Sequence, residues 1–383
     1  MLRVLVTGGA GFLGSHTVDA LLAAGHEVRI LDSFAAPVHA SGRPSYLPRD
    51  AEVVEGDVRD KRAWARALPG VDAVVHMAAY QDYLPDFSTF FHVNSVGTAL
   101  LYEVVVEQRL DVQRVVVASS QAVYGEGRHR CQNPSCPGAA AGRDYYPDIR
   151  TDEQLAAGRW DHQCPECGEV LVPVPSDEQQ RVNPQNQYAI SKYTQELIAR
   201  SLGQRYRIPT VVARYSIVQG PRQSFHNAYS GACRIFSLSY LLGRAPRVYE
   251  DGQQLRDFVN IEDAVTATML LLTHPNVVDG VFNVGGSRPY TALEFAEIVR
   301  TVVGSDLAPE LAGDYRFGDT RHIVSDITRL RALGWTPRHP PEKSVADYVH
   351  WVRSQQGFDR VLDEAEQRLR ALGVVRRARR GSP

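Results

Sequence analysis

Through the first half of the chain, short unbroken apolar runs alternate with longer stretches of helical period. The runs are "RVLVTG" (3–8), "EVRILD" (27–32), "AEVVEGD" (51–57), "DAVVHMA" (72–78), "RVVVASS" (114–120) and "PTVVARY" (209–215). Val, Ile and Leu in succession, without in–out alternation, predict strands buried on both faces. "GSHTVDALLAAG" (14–25) and "NSVGTALLYEVVVEQRL" (94–110) read as helices between them. Strand and helix in this order predict an α/β fold with a doubly wound parallel sheet.

Two regions break the rhythm. Residues 128–177 are rich in Cys, Pro, Gly and Asp and read as an insertion. Residues 354–383 read as an amphipathic helix, with Val361, Leu362, Ala365, Leu369 and Leu372 on one face, followed by an Arg-rich end expected to be a frayed, solvated tail. At 383 residues the chain is too long for one ordinary core and suits two lobes. A net charge of -2 gives no general pull on nucleic acid. No apolar leader and no 18-residue apolar stretch is read, so neither a signal peptide nor a membrane span is expected, and the expected location is cytoplasmic.

The first chemistry-bearing motif is "TGGAGFLG", which puts Gly8, Gly11 and Gly14 directly after a strand and at the start of a helix. Glycines there allow a tight turn and close approach to a pyrophosphate, and the helix N-terminus offers free N–H donors. Asp32 ends the second strand, where a carboxylate binds both hydroxyls of an adenosine ribose and repels a 2′-phosphate. Ser33 and Phe34 follow it rather than Arg, which favours NAD over NADP. Asp57 and Val58, after the third strand, fall where an adenine edge would lie. "QYAISK" sets Tyr188 and Lys192 four residues apart on one helical face. Tyrosine ionises near pH 10, so a base at neutrality needs help, which a nearby ammonium and an oxidised nicotinamide would give. Ser120 ends a strand on the carboxyl edge where such sheets bind ligands.

With "HMAA" (76–79), "NSVGT" (94–98), "GPRQS" (220–224), "LRDFVNIEDA" (255–264), "FNVGG" (282–286), "RFGD" (316–319) and "LGWTP" (333–337), these motifs resemble the extended short-chain dehydrogenase/reductases, specifically the nucleotide-sugar epimerase/dehydratase family. The resemblance covers residues 2–353 apart from the insertion. It implies an NAD-binding Rossmann domain over 1–215 and a substrate lobe over 216–353, with part of 257–285 returning to the first domain. It implies that Tyr188 takes a proton from a sugar hydroxyl, that Lys192 binds the nicotinamide ribose, and that Ser120 bonds the same hydroxyl. Phe12, Leu13, Ala78, Ala79, Asn94 and Tyr215 would lie along the cofactor or its supporting loop. Gln81, Tyr83, Gln121, Arg222, Asn227, Tyr229, Arg256 and Arg316 would face a nucleotide-diphosphate sugar, the two last binding phosphate. His76 is read as a packing residue.

The implied reaction is C4 epimerisation: transient oxidation to a 4-keto sugar, rotation, and hydride return to the other face. The dehydratase branch carries an Asp-Glu pair after the residue matching Ser120. Here Gln121 and Ala122 stand there, and alanine moves no proton. A decarboxylase, a C4 reductase or a silent NAD-binding sensor on the same scaffold are the alternatives. Ile217 in "RYSIVQGP" replaces an asparagine that the family commonly carries, and Gln219 a tyrosine. The resemblance also implies a homodimer in which the helices at 94–110 and 188–203 form a four-helix bundle.

Between Tyr124 and Tyr188 the chain spends 63 residues. Within them Cys131, Cys136, Cys164 and Cys167 suit a tetrahedral structural zinc, with His129 and His162 as substitutes. Four thiolates leave no open position for a substrate. Flanked by Ser120 and Tyr188, the insertion is expected to fold over the sugar pocket as a lid or wall. It is similar to the cysteine-bearing insertion of the dTDP-L-rhamnose 4-epimerase branch, which implies a dTDP-6-deoxyhexose substrate.

Overall fold

The computed structural model describes residues 1–40, 42–82, 84–226, 231–358 and 361–378. Its centre is a sheet of seven parallel strands: β1 (Arg3–Thr7), β2 (Glu27–Asp32), β3 (Glu52–Glu55), β4 (Ala73–His76), β5 (Arg114–Ser120), β6 (Thr210–Tyr215) and β7 (Gly280–Val284). In space they run β7-β6-β5-β4-β1-β2-β3. The order reverses between β1 and β4, which opens a crevice at the carboxyl ends of these strands.

Successive side chains on one strand point to opposite faces, and both faces are covered. Val4 and Val6 enter one core with Ile30, Val75, Val116, Val211 and Phe282. Leu5 enters the other with Leu31, Val74, Val115, Val117, Val212 and Val281. Helices Phe12–Ala23 and Ile261–Thr273 pack against each other over the first face. Helices Lys61–Ala67, Gly97–Glu107 and Gln187–Tyr206 cover the second. This is the doubly wound Rossmann architecture that the hydrophobic pattern predicts. His76, at the end of β4, is fully buried and bridges the Thr7 and Thr98 hydroxyls at 2.7 and 2.9 Å. Burial first, and the Lys192 charge second, push its imidazole down to about 3, so it is a neutral packing residue.

A second lobe packs helices Ala232–Leu241, Ala292–Val303 and Pro341–Arg353 around Phe236, Phe258, Phe295 and Tyr348. A small sheet made of Ile217–Gln219, Leu255–Asn260 and Pro289–Thr291 joins this lobe to the first. Cys233 is buried in this core, as a small apolar residue would be.

Three expectations need correction. The segment Phe87–Glu107 is by composition long and apolar enough to cross a membrane; half of it is buried inside the fold, packed against helix Gln187–Tyr206. The C-terminal end is not wholly a solvated tail: Val375–Arg377 pairs antiparallel with Asp314–Arg316, and Val375 and Leu369 are buried. Arg370 anchors it by an ion pair to the buried Asp314 at 2.9 Å, and Arg376 reaches Asp152 at 2.7 Å. Leu362 packs on the second lobe while Leu372 stays exposed. Third, the insertion is not a lid. Its two ends meet at a neck where the Asn183 amide donates to the Val123 carbonyl at 3.1 Å. Gly125, with a φ of +63°, lies so near Asn183 that a Cβ would fall 2.1 Å from the Asn183 carbonyl oxygen. None of the insertion's described residues lines the crevice.

Candidate active site

The crevice is a cleft of about 770 Å³ running from the ends of β1, β2, β4 and β5 to the second lobe. The glycine turn forms its floor. Gly8 has a φ of +65°, and a Cβ there would lie 2.8 Å from the Ala78 amide nitrogen. At Gly14 a Cβ would lie 2.0 Å from the Gly8 carbonyl oxygen. The turn therefore exists only without side chains, and it leaves the start of helix Phe12–Ala23 bare for a diphosphate. Gly14→Ala is expected to abolish co-purified dinucleotide, because the clash is with backbone that cannot move aside; nucleotide released from heat-denatured protein measures it.

Asp32 is buried at the end of β2, accepting from the Ala10 amide at 3.0 Å and the Phe34 amide at 2.9 Å. These bonds fix the carboxylate at the cleft wall, beside the loop Ala35–His39. Asp57 and Val58 line the same end, with the Asp57 carboxylate paired to Arg59 at 2.6 Å. Burial would raise the Asp57 carboxyl, but Arg59 holds it below its usual range. Phe12, Leu13, Ala78, Ala79 and Tyr215 also line the cleft. Asn94 does not. It is buried behind the cleft, where its amide pairs with both the N–H and the carbonyl of Tyr80 and with the Ser191 hydroxyl. It supports the loop that follows β4.

Ser120, Tyr188 and Lys192 all line the cleft. Ser120 caps the turn after β5, its Oγ accepting from the Ala122 amide at 3.2 Å, so the hydroxyl proton can donate to a ligand. Asn186 caps helix Gln187–Tyr206 by accepting from the Ala189 amide at 2.8 Å. That cap sets Tyr188 in the first turn, at the cleft edge, and Lys192 one turn deeper. Lys192 is 2% exposed. Burial pushes its ammonium down to about 7, with the Glu196 carboxylate pulling the other way. Glu196 is itself clamped by Arg214 through two bonds of 2.9 and 2.7 Å, so it cannot swing to neutralise Lys192 more closely. Arg214 also donates to the Tyr124 hydroxyl, which donates to the Asn283 side-chain oxygen, and the Asn283 backbone N–H donates to Glu178 at 2.8 Å. Strand ends and catalytic helix are locked in one buried network.

The far end of the cleft belongs to the second lobe. Arg256 and Arg316 line it, together with Gln81 and Gln121. Arg256 is held flat by donating to the carbonyls of Leu255, Thr320 and Arg321 at 2.9–3.0 Å. Arg316 stacks over Tyr249, its guanidinium carbon 4.8 Å from the ring centre. Gln121 accepts from Ser325 at 3.3 Å, and Ser325 and Ser216 share the buried Asp257 carboxylate. Arg222 is placed differently: it pairs with Asp19 at 2.7 Å and lies over Tyr46, and it is not among the cleft-lining residues. Tyr83, Asn227 and Tyr229 lie outside the described residues. Ile217 is at the cleft wall with Val218, Ile235, Phe236 and Val248, an apolar panel beside the arginines. Sequence reasoning missed Arg247 and Tyr249, which line the cleft in "PRVYEDG" just ahead of "LRDFVNIEDA"; the nearness of an Arg and an aromatic residue to that motif was the available signal.

The four insertion thiols converge. All Sγ atoms of Cys131, Cys136, Cys164 and Cys167 lie within 4.8 Å of one another, with 3.6 Å between Cys131 and Cys167 and 3.7 Å between Cys136 and Cys164. A tetrahedral zinc with Zn–S bonds of about 2.3 Å needs sulfurs about 3.8 Å apart. The donor set fits that ion. His129 and His162 are outside the set, 5.4 Å apart by ring centre.

A model of the NAD dependent epimerase/dehydratase family matches residues 4–145 and 164–285. The dTDP-L-rhamnose 4-epimerase of Burkholderia thailandensis is 31% identical over 360 residues, covering 92% of this chain and 95% of that one. A putative UDP-glucose 4-epimerase of Methanocaldococcus jannaschii is 27% identical, covering 92% of this chain and 98% of its own length. Among solved structures, the Thermus thermophilus UDP-glucose 4-epimerase in complex with NAD superposes with a TM-score of 0.69 at 28% identity, over 92% of this chain and 99% of that one. The Thermotoga maritima UDP-glucose 4-epimerase with UDP-glucose gives 0.72 at 25% identity, over 92% and 99%.

Proposed function

We propose that this chain, which belongs to the NAD dependent epimerase/dehydratase family, epimerises a nucleotide sugar at C4, with a dTDP-6-deoxyhexose of the rhamnose type as substrate. The observation that carries the reading is that one cleft is lined by the dinucleotide turn, by Ser120, Tyr188 and Lys192, and by Arg256 and Arg316. NAD in the glycine turn would supply the hydride acceptor and donor. Tyr188 takes the proton of the C4 hydroxyl and later returns it. Ser120 donates to the C4 oxygen and holds it in line with Tyr188. Lys192 stabilises the phenolate by charge. Arg256 and Arg316 bind the diphosphate, since a guanidinium matches phosphate oxygens in pairs. The sugar turns over between the two hydride transfers while the diphosphate stays held.

Dehydration is disfavoured by the site itself. Gln121 is engaged with Ser325 and Ala122 carries no proton, so nothing at these positions can remove water across C5 and C6. The branch is supported by the 31% identical dTDP-L-rhamnose 4-epimerase and by the four-thiol insertion. The test is a panel of dTDP-, UDP-, GDP- and CDP-sugars followed by NMR in deuterium oxide. The expected product is a dTDP-sugar inverted at C4 that keeps its carbon-bound hydrogen. Deuterium at C6 would mean a dehydratase; net use of reduced nicotinamide would mean a reductase.

The insertion carries a structural zinc held by Cys131, Cys136, Cys164 and Cys167, closed to substrate and outside the chemistry. The chain also pairs as a homodimer through the helical segments 94–110 and 188–203. Ile190, Leu197 and Val96 are 40%, 49% and 43% exposed on the outer faces of this helix pair. Apolar residues at that spacing suit burial against a second copy. Leu197→Glu is expected to halve the sedimenting mass with NAD still bound; an unchanged dimer in that variant would count against this interface.

A further inference from the structure

We propose that the insertion is a buttress for the nucleotide end of the cleft, acting through a buried Arg150–Glu250–Arg321 cluster, so that Arg150, Glu250 and Arg321 are positioning residues for nucleoside-diphosphate binding. The inference rests on the nucleotide-sugar reading above.

The cluster lies where the insertion meets the second lobe. Arg150 and Arg321 are each 1% exposed and Glu250 is 5% exposed. Arg150 grips Glu250 with two bonds of 2.8 and 2.9 Å, and Arg321 adds a third at 2.9 Å. Arg321 also binds Asp251 twice and, from the insertion, Asp161 at 2.7 Å. Glu126, at the insertion's neck, accepts from the Arg321 amide at 2.7 Å. Buried charges this closely paired are expensive to leave half-paired, so the insertion and the second lobe are held in one relative placement.

Each anchor in the cluster is one bond from the cleft. Arg150 donates to the carbonyl of Asp319, a cleft-lining residue, at 2.8 Å. The Arg321 and Thr320 carbonyls are the acceptors that orient Arg256. Glu250 follows Tyr249, the ring on which Arg316 stacks. The Glu250 amide donates to the Asp314 carbonyl at 2.7 Å, two residues before Arg316. The backbone records the same constraint. Glu250 has a φ of +56°, a conformation that favours glycine. A glutamate stays there only because its surroundings over-determine it, and here those surroundings are two buried guanidinium groups. The strain is kept for the carboxylate, and the carboxylate serves the wall that carries Tyr249, Arg256 and Arg316.

Two variants of the full-length, NAD-loaded protein separate positioning from mere stability. Glu250→Gly removes the carboxylate while relaxing the backbone. Arg150→Lys keeps the charge but loses the paired contact, and it stands in if the first variant is insoluble. The readouts are calorimetric affinity for dTDP and UDP, released NAD, and KM against kcat for the turned-over sugar. We expect at least tenfold weaker nucleotide binding and a matching rise in KM, with NAD content and kcat within about threefold of wild type. Nucleotide affinity within twofold of wild type in folded, NAD-loaded variants overturns the inference. Wild-type protein that binds neither dTDP nor UDP overturns the nucleotide-sugar reading itself, and this inference with it.

Discussion

Replacing Tyr188 with phenylalanine is expected to lower turnover by about 10²–10⁴-fold, the range for losing a positioned acid–base group. The change deletes one hydroxyl at a half-exposed cleft position on a helix capped by Asn186, so fold and cofactor content should be kept. Substrate KM should change little, because the proposed diphosphate ligands Arg256 and Arg316 lie elsewhere in the cleft. A pH profile makes the assignment sharper. Lys192 is buried and its ammonium is pushed down to about 7 by burial. A phenolate at Tyr188 would favour the protonated lysine, and the lysine in turn favours the phenolate. Lys192→Met removes that mutual support, so the acidic limb of the kcat profile should move to higher pH. Tyr188→Phe should instead flatten that limb, since the titrating base is gone. Residual turnover above a tenth of wild type in Tyr188→Phe would assign the proton transfer to another group.

The fold was legible because its strands are uninterrupted apolar runs, and such runs can only be buried on both faces. β7 was harder to see as a strand. It is five residues long and carries Asn283, whose side chain bonds the carbonyls of Ser176 and Asp326 rather than joining the core. The placement of one half of the cleft lining was legible for a related reason. Gly8, Gly14, Asp32, Ser120, Tyr188 and Lys192 sit at strand ends or helix starts, so local sequence fixes where they point. The substrate half depends on contacts between distant segments. Arg247 and Tyr249 stand just outside the motif at 255–264, and Arg222 sits in a family motif yet pairs with Asp19. The insertion misled for the same reason: adjacency in sequence to Ser120 and Tyr188 says nothing about direction, which the neck at Gly125 and Asn183 decides. The C-terminal arm was misread because an Arg-rich end looks solvated until the buried Asp314 and the strand Asp314–Arg316 that Val375–Arg377 pairs with are known.

Zinc removal is expected to have the second large effect, and it should fall on the insertion before it reaches the chemistry. The core of the insertion consists of Cys131, Cys136, Cys164 and Leu171, with Ala139 and Tyr145 packed on it. That is too little apolar area to hold a segment of this length, and units of this kind need a metal or a disulfide. All four cysteines are free, so no disulfide does the work. Metal analysis should give one zinc per chain. Cys164→Ser should lose it, because a four-thiolate site has no spare ligand. The expected sequence of consequences is ordered by structure. Protease sensitivity within 128–177 appears first, since metal binding and folding of such a unit are one process. Nucleotide affinity falls next, because Arg150 and Asp161 lose their fixed positions against Glu250 and Arg321. NAD content changes least, as Gly8, Gly14 and Asp32 belong to the turn, helix and strand end of the central sheet and not to the insertion. Full nucleotide affinity in a zinc-free Cys164→Ser protein would break the link between staple and pocket, while stoichiometric absence of zinc in the wild type would remove the staple itself.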